Sequence, residues 1–208
     1  MWKKDMEKDD FILEYVMDDT AICDQLIDYH KNDTDYKLRG ITVGYDAQEG
    51  GGKVSTDVCI ATNNQNPAVI AYMRELCSVG LKNYTERYDH FNHMGIKEPW
   101  NIQYYKPKEG YFNWHCERSC YQSDQRALVF MTYLNDVNDG GETEFYYQKK
   151  KVKAVKGKTV IWPTDFTHTH RGVVSPTEHK YIATGWYNFF DVIDMDRYYV
   201  EAGLPRLK

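Results

Sequence analysis

The chain has 208 residues, the size of one domain with its extensions rather than of two independent cores. Lys and Arg number 26 against 31 Asp and Glu, and the resulting charge of −5 argues against a general binder of nucleic-acid backbone or anionic membrane surface. An apolar fraction of 42% with 18 Tyr and 5 Trp excludes disorder over most of the length, and no apolar run reaches the roughly 20 residues of a membrane span. The opening Met1-Trp2-Lys3-Lys4-Asp5 is too charged for a secretory signal. Five cysteines without paired spacing (Cys23, Cys59, Cys77, Cys116, Cys120) fit free thiols in a reducing compartment, so a cytoplasmic location is expected.

In chain order, Phe11–Met17 reads as a strand. Asp18-Asp19-Thr20 then supply N-cap candidates for an amphipathic helix with Ile22, Cys23, Leu26, Ile27 and His30 on one stripe. Residues 32–52 are polar and punctuated by glycines, which predicts a loop suited to act as a lid. Val54–Ile60 alternates as a strand. Asn66-Pro67 places an N-cap and an N1 proline before a second helix running through Val69, Met73 and Leu76 towards Tyr84. From Trp100 the texture changes to aromatic and β-branched runs: Ile102–Tyr105, Tyr111–Glu117, Ala127–Leu134, Glu142–Tyr147, Lys151–Val155, Thr159–Trp162, His168–Val174 and Tyr181–Phe189. Eight strands in about 90 residues is the density of a sandwich or jelly roll, and no helix of crossover length separates them. The predicted class is therefore mainly β with bracing helices (α+β). One domain is expected over 1–208, with helical and strand support over about 1–99, a core over about 100–190, and a tail over 191–208 forming a short helix or turn. The triplet Lys149-Lys150-Lys151 reads as a solvated hairpin edge.

The chemistry starts at His115-x-Glu117. On a strand, residues i and i+2 share a face, so an imidazole and a carboxylate can close on one metal ion. Alone the pair is weak, since chance gives about one His-x-acid in a chain with this much histidine and acid. Phe166-Thr167-His168-Thr169-His170-Arg171-Gly172 offers a third ligand on a later strand, as either His168 or His170. Two His and one carboxylate leave three adjacent positions open on an octahedral ion, the arrangement that non-haem Fe(II) oxygenases use. The cysteines complete no tetrahedral zinc site. Ten residues after His170 stands Lys180, leading into an aromatic strand where an ammonium is costly to bury without an anion.

The order Tyr105, Gly110, His115-x-Glu117, Arg126 to Asn135, Gly140-Gly141-Glu142-Thr143-Glu144-Phe145, Gly157, His170-x-Gly172, Lys180 and Trp186 resembles the prolyl 4-hydroxylase-like branch of the Fe(II)/2-oxoglutarate dioxygenases, over roughly Asn101 to Asn188. The resemblance implies a double-stranded β-helix (jelly-roll) core. It implies Fe(II) held by His115, Glu117 and His170, with His170 preferred to His168 because Gly172 and the ten-residue step to Lys180 fit it. It further implies 2-oxoglutarate as cosubstrate with its distal carboxylate on Lys180 and Tyr105, assisted by Thr143. Two departures stand out: the usual aspartate is Glu117, longer by one methylene, and the proline that follows the distal histidine is displaced to Pro176.

The activity so implied is O2-dependent hydroxylation of an unactivated C–H bond with release of succinate and CO2, with ascorbate as a reductant. A prolyl residue of a peptide or protein is the first choice of substrate, and a free amino acid or other small molecule the second. No nucleic acid or membrane partner is implied. Trp114, Tyr133, Trp162 and Trp186 are available as an aromatic wall, Arg118 and Arg126 as substrate contacts, and Gly44–Gly52 and His90–Trp100 as flaps over a peptide. A jelly-roll binding module without turnover is the competing class, and Glu117 is the feature that favours it.

Overall fold

A computed structural model describes residues 9–32, 37–40, 52–89 and 94–190. In chain order the elements begin with β1 (Leu13–Val16), α1 (Ala21–Asn32), β2 (Lys37–Arg39), β3 (Lys53–Val54) and β4 (Thr56–Ile60). Next come α2 (Pro67–Glu75), which passes through a π turn at Leu76–Leu81 into α3 (Lys82–Arg87), and then β5 (Met94–Gly95), β6 (Trp100–Tyr105) and β7 (Gly110–Tyr111). The chain continues with β8 (Arg126–Tyr133), β9 (Thr143–Phe145), β10 (Lys150–Val152), β11 (Lys158–Pro163), β12 (His170–Gly172) and β13 (Lys180–Phe189).

Local chemistry sets the helix starts. Asp19 Oδ1 accepts the Ala21 N–H at 2.9 Å, and Asn66 Oδ1 accepts the Ala68 N–H at 2.9 Å with Pro67 in the first turn. α1 buries Ile22, Cys23, Leu26 and His30, while Ile27 stays half-buried. α2 and the π turn turn Val69, Tyr72, Leu76 and Leu81 inward.

The large sheet has the order β1-β11-β8-β13-β6-β4-β2, with β5 attached to β13, and all its pairings are antiparallel. A three-stranded sheet, β10-β9-β12, and the pair β3-β7 make up the rest. The central strand β8 explains the design. Leu128 and Phe130 pack with Leu26, Tyr72, Leu76, Trp100 and Tyr187 on the helical side, whereas Val129, Met131 and Tyr133 pack with Phe145, Val152 and Trp162 of the opposite layer. A strand covered on both faces reads as a nearly continuous apolar run, as Ala127–Tyr133 does with Thr132 its one polar residue, and each large apolar side chain so buried stabilises the fold by roughly 1.5–3 kcal/mol. The helices brace one face of the large sheet and the site occupies the other. Gly140 and Gly141, which precede β9, have φ of +78° and +80°, and a Cβ at Gly140 would run into the Val174 carbonyl.

Several expectations need correction. Tyr111–Glu117 is not one strand: only Gly110–Tyr111 pairs with β3, and beyond it His115 forms an isolated bridge with His170. The backbone changes partner within seven residues, with Phe112 N–H donating to Gly52 O, His115 to His170 and Glu117 N–H to Thr164 O, so no regular ladder builds up. The expected strand His168–Val174 shrinks to His170–Gly172, because Asp165 caps a 3-10 turn over Phe166–His168. Val54–Ile60 divides at Ser55 into β3 and β4. Within the expected flap His90–Trp100, Met94–Gly95 and Trp100 belong to the large sheet, where Gly95 pairs with Asn188. Residues 90–93, nearly all of the Gly44–Gly52 loop and the tail 191–208 lie outside the described residues. Among the described residues no helix is long and apolar enough to cross a membrane.

Candidate active site

Between the large sheet and β12 lies a cavity of about 380 Å³, within the range of small-molecule sites. His115, Glu117 and His170 stand together in its wall. The two histidines are cross-strand partners: His115 N–H donates to His170 O at 3.0 Å, and His170 N–H returns the bond to His115 O at 2.9 Å. Each Nδ1 faces a backbone carbonyl, Asn113 O at 3.0 Å for His115 and His168 O at 2.9 Å for His170. A carbonyl only accepts, so each Nδ1 carries the proton and each Nε2 offers its lone pair. Tyr111 stacks on the His115 ring at 3.6 Å, and Trp162 packs edge-on against His170 at 5.0 Å.

Glu117 Oε1 lies 3.3 Å from His115 Nε2 and 3.6 Å from His170 Nε2. Ligands about 2.1 Å from one ion and at right angles to each other are about 3 Å apart, so this donor set fits a single divalent cation. Burial works to raise the Glu117 carboxyl, but His115 and His170 hold it well below the usual carboxylate range. Burial first, and the neighbouring His115 second, push the His170 imidazole below its ordinary value. Neutral imidazoles and an ionised carboxylate are the protonation states that ligate metal. His168 turns away, with Nε2 2.9 Å from Asp10 O and Nδ1 2.8 Å from the Thr167 hydroxyl, so it does not share a face with His170.

The cavity reaches Lys180 at the start of β13, opposite Tyr105 of β6. Its Nζ sits 5.6 Å from the Tyr105 ring centre and 5.5 Å from that of Tyr133, and burial pushes its pKa down to about 8 despite the field of Glu142. A Cβ built on Gly172 would meet that Nζ at 3.9 Å. Gly172 follows His170 by two residues on the same face of β12, a step of about 6.6 Å, so the ammonium stands one short dicarboxylate away from the histidine. Tyr105 donates its hydroxyl to Gln103 Oε1 at 2.6 Å rather than leaving it free, and the Thr143 hydroxyl accepts from Tyr133 at 2.7 Å.

Of the expected aromatic wall, Trp162 and Trp186 line the cavity, while Trp114 lies outside it between Tyr146 and Arg171. Arg118 pairs with Asp165 at 3.4 Å, and Arg126 pairs with Glu98 at 2.7 Å. Sequence reasoning missed Glu98 and a buried pair facing the cavity, Lys53 and Asp57, whose lysine Nζ and carboxylate are 2.6 Å apart. The i,i+4 spacing of those two charges was visible, but the break at Ser55 that brings them together was not.

Residues 100–188 match the model of the 2OG-Fe(II) oxygenase superfamily, while no curated protein matches the chain. Similar solved structures include a viral collagen prolyl hydroxylase from Paramecium Bursaria Chlorella virus-1 in complex with 2OG (16% identity, 86% of this chain and 97% of that one, TM-score 0.63). A Pseudomonas putida prolyl-4-hydroxylase (17%, 86% and 93%, TM-score 0.65) also shares the fold. So does a Trichoplax adhaerens prolyl hydroxylase in complex with a hypoxia inducible factor oxygen degradation domain peptide fragment (15%, 86% and 83%, TM-score 0.64). At these identities the likeness speaks for the jelly-roll fold. The family match lies over the strands that carry the His-Glu-His cluster, so residues 100–188 are similar to the 2OG-Fe(II) oxygenases on a fold shared with prolyl hydroxylases.

Proposed function

We propose that this protein is a 2-oxoglutarate-dependent dioxygenase that hydroxylates a prolyl residue of a peptide or protein, with His115, Glu117 and His170 holding Fe(II) and Lys180 holding the distal carboxylate of 2-oxoglutarate. The observation that carries the reading is one cavity with a metal-type donor set on one wall and, a dicarboxylate's length along β12, a buried cation with no acidic partner among the described residues. Fe(II) with 2-oxoglutarate and O2 supplies the oxidising power for the C–H bond, yielding succinate and CO2, and ascorbate serves as the reductant that keeps the metal ferrous.

The chain's own contribution is placement. The carbonyls of Asn113 and His168 fix both imidazole tautomers, so Nε2 of each points inward without rearrangement. Lys180 gains from a charge-assisted bond what its burial costs, and Gly172 leaves the space beside it clear. Tyr105 and Thr143 flank that end, Thr143 with a hydroxyl proton left to donate because its oxygen accepts from Tyr133. Trp162 and Trp186 shield the reacting region from water. The choice of a prolyl substrate is supported by the prolyl hydroxylases that share the fold.

Anaerobic Fe(II) titration with and without 2-oxoglutarate tests the site: a metal-to-ligand charge-transfer band is expected with both present, and absent in His115→Ala. Proline-containing peptides incubated with the aerobic system should gain one oxygen, located on proline by mass spectrometry. A band without peptide hydroxylation, but with oxidation of free amino acids, would move the substrate to a small molecule. Iron binding without any 2-oxoglutarate decarboxylation would indicate a binding module.

A further inference from the structure

Glu117 presents only one of its two oxygens to the histidines, and the other is already taken. Oε2 accepts the indole N–H of Trp186 at 3.1 Å and lies 3.9 Å from Nη1 of Arg126. The guanidinium carbon Cζ sits over the Trp186 ring, 3.4 Å from its centre, and Nη1 also donates to the Glu117 backbone carbonyl at 3.2 Å. On its far side Glu98 grips it with two bonds, from Nε at 2.9 Å and from Nη2 at 2.7 Å, and Asn188 Nδ2 donates to the same Glu98 carboxylate at 2.8 Å. A fork-to-fork pair of this kind fixes the plane of the guanidinium as well as its position.

From this geometry we infer that Trp186, Arg126 and Glu98 are positioning residues that reserve Oε2 of Glu117 and leave Oε1 as the sole oxygen offered to the metal. The inference rests on the metal site proposed above. Its chemical point lies in coordination number. Two imidazoles and one carboxylate oxygen leave three of six positions, enough for a chelating 2-oxoglutarate and dioxygen, whereas a chelating Glu117 leaves two. Glutamate has one more torsion than aspartate and so more freedom to swing both oxygens onto the ion. The clamp removes that freedom, and thereby lets the longer side chain serve where an aspartate is usual.

Cobalt(II) loaded anaerobically is the probe. A crystal structure of the Co(II) protein should show Glu117 bound through Oε1 with Oε2 still on the Trp186 indole. Trp186→Phe keeps a ring under Arg126 but removes the N–H. It should bind Co(II) within about threefold of the parent, shift the cobalt ligand-field bands, and bind 2-oxoglutarate about tenfold more weakly. Glu98→Gln should move the same two readouts in the same direction and less far, and it carries the test alone if Trp186→Phe does not fold. Unchanged bands and unchanged 2-oxoglutarate affinity in the variants, or both Glu117 oxygens on cobalt in the parent, overturn the clamp and leave the metal site standing. A parent protein that binds no Co(II) overturns both.

Discussion

Two buried lysines face the same cavity and differ in what meets them. Lys53, on β3, is 8% exposed and touches Asp57, whose other oxygen accepts the Ser55 hydroxyl at 2.7 Å. Lys180, on β13, is equally buried, yet it faces the rings of Tyr105 and Tyr133, and no acidic group among the described residues pairs with it. Burial taxes both ammonium groups alike, because both leave water for a poorly polarisable surrounding. In the first case the fold itself supplies the compensating charge. In the second only the field of Glu142 reaches the ammonium and no acid touches it, and a chain keeps a cation so poorly compensated where something that binds there completes it.

That contrast is open to experiment. The largest expected effect is on the paired lysine: Lys53→Met strands the Asp57 carboxylate in the interior and should cost about 3–5 kcal/mol in urea denaturation. A cost below about 1 kcal/mol would erase the distinction. Lys180→Met should do the reverse, melting at or above the parent temperature while the metal-loaded protein loses about a hundredfold in 2-oxoglutarate affinity. A melt well below the parent would mean that the fold compensates Lys180 after all.

Acidity tests Lys180 more gently. The folded value of Lys180, about 8, lies below the roughly 10.4 of an unfolded lysine. Between those limits the unfolded chain holds more protons, so the Lys180 contribution makes stability rise as pH rises from about 8 to about 10.4 and leaves it flat below. Ligand binding runs the other way: 2-oxoglutarate affinity should fall about tenfold from pH 7 to pH 9 as the ammonium is lost, and Lys180→Met should abolish the slope. Smallest of all, Tyr133→Phe keeps the ring beneath Lys180 but removes the bonds to Thr143 and to Val152 O, at 2.7 and 3.0 Å. It should cost about 1 kcal/mol of stability and two- to threefold in 2-oxoglutarate affinity.

Much of this was legible before any coordinates. The run Ala127–Leu134 announced a strand, Asn66-Pro67 announced a helix start, and the order of His115, Glu117, His170 and Lys180 outlined the cavity. Reading failed where backbone partners change quickly. Residues 111–117 carry strand-forming side chains but bond in turn to Gly52, His170 and Thr164, and propensity has no view of such handovers. His168 looked equivalent to His170 on spacing alone, until the Asp165 cap curled the chain at that point and sent its ring to Asp10. Charge pairs between distant segments were also invisible: nothing near Arg126 in sequence points to Glu98, 28 residues earlier.

The reciprocal backbone bonds between His115 and His170 have a consequence for how the site opens. Each amide is capped by the other residue's carbonyl, so neither hydrogen can exchange with solvent unless two stretches of chain 55 residues apart in sequence draw away from each other. Deuterium uptake at these two amides is thus a clock for separation of the walls. Matched, slow uptake in the protein without metal would describe a receptacle already set by the chain, into which an ion drops without reshaping it.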